Sequence, residues 1–81
     1  MKFSVISPHS TAEHTIVWVE INTPAGNMVI QENHAPMVVE IEPNSEILFM
    51  QQNGKQVSIV VLQGFIHVTH QEIKLLVTKE A

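Results

Sequence analysis

The chain has 81 residues, 44% of them hydrophobic, and a mean hydropathy of +0.14, enough for one small core and too little for two. Eight glutamates against four lysines give a net charge of −4, with no arginine, aspartate, tyrosine or cysteine. The lack of a basic patch argues against a nucleic-acid partner, and the lack of thiols excludes a disulfide framework or a thiolate metal site. Packing alone must hold a core of this size, which seldom supplies more than roughly 3–5 kcal/mol, so a partner subunit is expected. No apolar run exceeds four residues, as in Ile59–Leu62, far short of the ~20 a bilayer span needs.

Apolar residues recur mainly at spacing two, the strand signature, and the predicted elements are all strands. In chain order they are Phe3–Ile6, Ile16–Ile21, Asn27–Ile30, Met37–Ile41, Glu46–Met50, Lys55–Leu62, Phe65–Thr69 and Ile73–Thr78. Three turns punctuate them. Thr23–Asn27 combines Pro24 with Gly26, Glu42–Ser45 contains Pro43, and Asn53-Gly54 is the strongest hairpin signal. No interval leaves room for a crossover helix, so a single-domain, all-β fold is predicted over 1–81: a small two-layer β-sandwich of about eight to ten short strands.

Strand alternation assigns the core to Val17, Val19 and Ile21, to Met37, Val39 and Ile41, to Val57, Ile59 and Val61, and to Ile73, Leu75 and Val77. The opposite faces are not wholly polar, because Trp18, Leu48, Met50, Val60, Leu62 and Leu76 fall on them. Either the twist of a small sandwich covers these residues, or a protein partner does. Trp and Met are favoured at interface centres.

Chemistry is harder to find. His67 and His70 are three apart, which puts them on opposite faces of a strand, and His9 and His14 lie in a polar segment that reads as a solvated loop. His34 precedes Ala35-Pro36, and its imidazole is expected to hydrogen-bond nearby backbone in a turn. There is no nucleophile in a recognisable setting and no glycine-rich phosphate loop. Glu40 and Glu42 share a strand face in the manner of an edge guard. A histidine metal site and a standalone interaction module remain the alternatives.

With the turns in place, the whole chain resembles the N-terminal β-sandwich domain of the ε subunit of bacterial F-type ATP synthases, the δ subunit of mitochondria. The likeness runs through Phe3-Ser4-Val5-Ile6-Ser7-Pro8, Val19 to Ile30, Asn33-His34-Ala35-Pro36-Met37, Glu42-Pro43-Asn44-Ser45, Gln63 to Val68 and Glu72 to Val77, roughly residues 3 to 78. His-Ala-Pro is its most specific piece. Two glycines frequent in the family are here Asn33 and Asn44, which tolerate left-handed backbone better than most residues. The family's acidic residue in the turn before its short third strand is here Asn27, with Glu32 a candidate to supply the charge.

The resemblance implies a non-catalytic rotor subunit of the central stalk, linking the γ subunit to the c-ring of a proton- or sodium-translocating ATP synthase. It implies a peripheral position on the cytoplasmic face of the membrane, with no cofactor and no metal. Gly26, Asn27, Glu32 and His34 would face the c-ring, and Trp18, Leu48, Met50 and Leu62 would face γ. The family's C-terminal helical hairpin has no counterpart before Ala81, and its ATP-binding motif needs the Asp and Arg that are missing, so nucleotide binding is not expected.

Overall fold

The computed structural model describes residues 1–80 and contains seven strands: β1 (Lys2–Ile6), β2 (Thr11–Thr23), β3 (Gly26–Gln31), β4 (Met37–Glu40), β5 (Ser45–Gln51), β6 (Gln56–Val68) and β7 (Glu72–Glu80). β2 and β6 are 13 residues each, about 40 Å at full extension, against a longest principal extent of 27 Å. Both therefore bend and serve two layers. One layer is β3, the C-terminal part of β2, β5 and the N-terminal half of β6. The other is the N-terminal part of β2, β1, β7, the C-terminal half of β6 and β4. The shortest extent of 18 Å fits two sheets packed about 10 Å apart.

The bends sit at bulges, and the bulges decide which side chains turn inward. In β2, Ile16 pairs with Gln51 and Trp18 with Met50, leaving Val17 unpaired against β5. The extra residue shifts the alternation, so Ile16 is buried before it and Val19 and Ile21 after it. Val17, predicted in the core, is instead 50% exposed. β6 has a second irregularity between Val61 and Gly64, and it joins the two predicted strands Lys55–Leu62 and Phe65–Thr69 into one. Seven strands therefore replace the predicted eight to ten.

Among the described residues fourteen apolar side chains form the core, which Phe3 of β1 and Phe49 of β5 bridge edge to face at 5.1 Å between centroids. Met37, Val39, Val57 and Ile59 are half-buried at its margin. Asn33 and Asn44 both take positive φ, 63° and 56°, the conformation their side chains tolerate.

Candidate functional site

The first layer turns a mixed outer face to solvent. Trp18 pairs with Met50 and Glu20 with Leu48 across β2 and β5, so Trp18, Leu48 and Met50 come together, each half-buried. Val29, opposite Glu20 on β3, and Val60, opposite Glu46 on β6, extend the patch with 45% and 53% exposure. Leu62 does not join its centre. It lies at the β6 bulge, six residues from Gln56, the partner of Met50, and thus about 20 Å along the strand.

The four residues expected to face the c-ring do not form one turn. Gly26 and Asn27 close the β2–β3 hairpin, whereas Glu32 and His34 follow Gln31 at the other end of β3, about 17–20 Å away along the strand. The whole of β3 separates the hairpin turn from the connection that leads to Met37. Glu32 therefore cannot replace the missing acidic residue at the hairpin.

Another carboxylate stands there instead. Asn27 Nδ2 donates to Glu20 Oε2 at 3.3 Å, to Asn22 Oδ1 at 3.0 Å and to the Ile21 carbonyl at 3.3 Å. Asn22 in turn reaches the Glu46 carbonyl at 3.4 Å, and its own carbonyl accepts from the Glu42 amide at 2.8 Å. Glu20, Glu42 and Glu46 thus stand near the β2–β3 end without a lysine partner among the described residues. Strand alternation could have shown Glu20 two residues from Asn22 on one face; only the pairing of Asn22 with Asn27 brings it to the turn. Below, Thr23 ties the hairpin by accepting from the Ala25 amide at 3.1 Å and donating to the Gly26 carbonyl at 2.9 Å.

The histidines are dispersed. His34 Nδ1 lies 2.8 Å from the Ala35 carbonyl oxygen, as expected of a turn imidazole. His14, expected in a solvated loop, sits half-buried in β2 opposite Phe3, with its ring 4.9 Å from Phe49 and 6.3 Å from Phe3. The strand begins at Thr11, five residues earlier than its apolar pattern suggested, and the phase that buries Ile16 also turns His14 inward. No group of three or more histidine or carboxylate side chains able to hold a metal occurs among the described residues. The ion pairs lie elsewhere: Lys2 contacts Glu13 at 3.3 Å and Glu72 at 3.5 Å, and Lys74 contacts Glu72 at 3.4 Å. The hydrogen bond from Lys74, with the charges of Lys74 and Lys2, holds the Glu72 carboxyl below the ordinary glutamate value.

The outer face of the second layer carries a further apolar row, Ile6–Leu76–Phe65, ending at Glu40 of β4. Phe65 and Leu76 are 45% and 40% exposed. Glu40 and Glu42 do not share a face of one strand, because β4 ends at Glu40. Among the described residues no helix is long and apolar enough to cross a membrane.

Comparison with curated proteins gives no match. Among solved structures, a chain of the Euglena gracilis mitochondrial ATP synthase, in a complex described as OSCP/F1/c-ring in rotational state 1, superposes with a TM-score of 0.86 at 18% identity, covering 95% of this chain and 49% of that one. A chain of the Tetrahymena thermophila mitochondrial ATP synthase, described as central stalk/c-ring, gives a TM-score of 0.82 at 12% identity, covering 98% of this chain and 63% of that one. At these identities the likeness is one of fold, and this chain spans about half to under two thirds of the length of those two. The sequence itself matches the family model of the ATP synthase delta/epsilon chain β-sandwich domain across residues 1–80. With that match spanning both layers and every turn, the chain belongs to the ATP synthase delta/epsilon β-sandwich domain family.

Proposed function

We propose that this chain is a non-catalytic subunit of the central stalk of an F-type ATP synthase, peripheral on the cytoplasmic face of the membrane, joining γ to the c-ring. The family match across residues 1–80 carries the reading. The two similar structures support it, being chains of complexes described as containing a c-ring. A coupling subunit transmits torque and needs stiff, patterned surfaces. A sandwich whose two longest strands pass through both layers suits that task, because a load on one layer is carried covalently into the other.

The outer face of the first layer is the γ-facing surface. Trp18, Leu48 and Met50 form its centre, and Leu62 lies toward its margin. Half-buried aromatic and thioether side chains ringed by polar groups are the composition of an interface centre. The ring-facing end is the β2–β3 hairpin with Gly26 and Asn27, and its negative charge comes from Glu20, held by Asn27. Such an end fits cationic loops, to which a carboxylate makes hydrogen bonds roughly twice as strong as a neutral group does. Glu32 and His34, at the opposite end of β3, belong to a separate contact.

Capture of the tagged chain from detergent-solubilised membranes tests this reading. Co-recovery of γ and the c-ring is expected. Loss of γ with retention of the fold is expected for Trp18→Ala combined with Met50→Ala, and weakened ring association for Glu20→Lys. Full recovery of both partners with all three substitutions would refute the surface assignment.

A further inference from the structure

The tip that joins β5 to β6 is Gln52 to Lys55. The Gln51 amide donates to the Lys55 carbonyl at 2.9 Å, and the Gly54 amide donates to the Gln51 carbonyl at 2.9 Å. Between these bonds Gly54 takes a φ of +87°, a conformation that glycine adopts without steric cost. Asn53 and Gly54 are both exposed, and a β-carbon at Gly54 would meet nothing within 4 Å.

The side-chain amide of Asn53 is set up for attack by the backbone that follows it. Its Oδ1 accepts from the Lys55 amide at 2.9 Å, so a fixed N–H donor sits on the oxygen where negative charge develops when a nucleophile adds to Cγ, as in an oxyanion hole. Its Nδ2, the nitrogen that would leave, has one partner among the described residues, Gln51 Oε1 at 3.5 Å. The next residue is glycine, which has no β-carbon to obstruct closure of a five-membered ring onto its nitrogen. The Gly54 N–H must first give up its bond to Gln51, and at an exposed tip water takes that bond over at small net cost. The other asparagines differ: Thr23, Met28, His34 and Ser45 follow them, and Asn27 Nδ2 is held by three acceptors.

We propose that Asn53 is a site of spontaneous modification, at which the chain deamidates itself. The Gly54 nitrogen gives its proton to hydroxide and bonds to Asn53 Cγ. The Cγ–Nδ2 bond breaks, and the nitrogen takes a proton from water and leaves as ammonia, so a succinimide remains. Water then opens the ring. Cleavage of the Cγ–N bond gives aspartate, and cleavage of the bond between the Asn53 main-chain carbonyl carbon and the same nitrogen gives isoaspartate. The reaction consumes water alone and adds one negative charge to a chain of net charge −4. Isoaspartate also lengthens the main chain by one methylene inside a tip closed by two backbone bonds, so it loosens the hairpin three residues beyond Met50. The inference is independent of the stalk reading.

Incubation of the folded chain at neutral and mildly alkaline pH, followed by mass spectrometry and NMR of nitrogen-15 labelled protein, tests it. The expected result is a gain of about one mass unit confined to Asn53, with loss of its side-chain amide signals and shifts at the Gln51, Gly54 and Lys55 amides. Conversion at Asn53 should outpace that at any other asparagine at least about tenfold, and it should rise in proportion to hydroxide. In oxygen-18 water the product should carry one heavy oxygen. Asn53→Gln, whose ring would need six members, should lose the mass gain while keeping the wild-type circular dichroism, and Asn53→Asp should match the aspartate product. The chain in urea, where the Lys55 contact is gone, should convert no more than about tenfold faster than the folded chain. A folded chain that keeps its mass while the urea-treated chain converts overturns the proposal, because the tip then protects Asn53. So does conversion spread evenly over the asparagines, or a gain that persists in Asn53→Gln.

Discussion

Gly64 is buried where β6 bends, and a β-carbon there would stand 2.7 Å from the carbonyl oxygen of Leu76 on the paired strand β7 and 3.3 Å from Cγ1 of Val61. Carbon and oxygen that are not bonded rarely approach within about 3.2 Å, so Gly64→Ala must open the β6–β7 pair by roughly half an ångström. The obstacle is backbone, not a side chain that can rotate away. Overpacking of this kind typically costs about 1–3 kcal/mol, and one kcal/mol moves Tm by about 4–8 °C in a domain of this size. A loss of about 4–24 °C is therefore expected, with the far-ultraviolet β spectrum retained. Gly54→Ala makes the comparison informative: its φ is +87°, yet a β-carbon there meets nothing within 4 Å, so its penalty comes from local backbone alone. Urea and thermal denaturation of the two variants would separate steric from conformational cost. A Gly64→Ala protein within 0.5 kcal/mol of wild type would refute the close approach of the two strands and with it the bulge that carries β6 between layers.

The β2 bulge predicts that Ile16→Ala costs about 2–5 kcal/mol while Val17→Ala stays within about 0.5 kcal/mol, the reverse of what unbroken alternation requires; chemical denaturation of both decides. Thr23→Val removes a side-chain oxygen that serves two backbone groups of the β2–β3 turn and should cost about 1–2 kcal/mol, read as a lower urea midpoint with unchanged slope. Glu72 titrates below its unfolded value because Lys74 and Lys2 favour its carboxylate. Its contribution to stability is thus present above the unfolded glutamate pKa and lost as pH falls through the lower folded value. A proton titration followed by NMR should show that lowering and its partial reversal in Lys74→Gln; an unchanged Glu72 curve in that variant would contradict the pairing.

Much of the fold is legible in the sequence because its signals are local. Pro24 with Gly26 and Asn53 with Gly54 mark hairpins through backbone conformations that few other residues adopt, and the alternation of Ile73, Leu75 and Val77 names the buried face of β7 without any knowledge of its neighbours. The failures at Val17 and His14 share a different origin. One extra residue in a strand reverses every later side chain, and nothing in the run from Ile16 to Val19, all apolar, says where that residue is. The site shows the same division. Trp18, Leu48 and Met50 are recognisable because alternation holds between Trp18 and Met50 once they are paired. Glu20 is reached only through Asn27, seven residues on, by a contact that depends on the register of β2 with β3. The separation of Glu32 from Asn27 likewise follows from the length of β3, which closeness in sequence conceals.

The stalk assignment is tested most directly by cross-linking within membranes that contain the assembled ATP synthase. The chain has no cysteine, so Met50→Cys and Asn27→Cys each introduce a single reactive thiol, one on the first-layer face and one on the hairpin end. The account predicts that the thiol at position 50 is captured by γ and the thiol at position 27 by the c-ring. Cross-links from both positions to neither partner, in membranes where the synthase itself is intact, would contradict it.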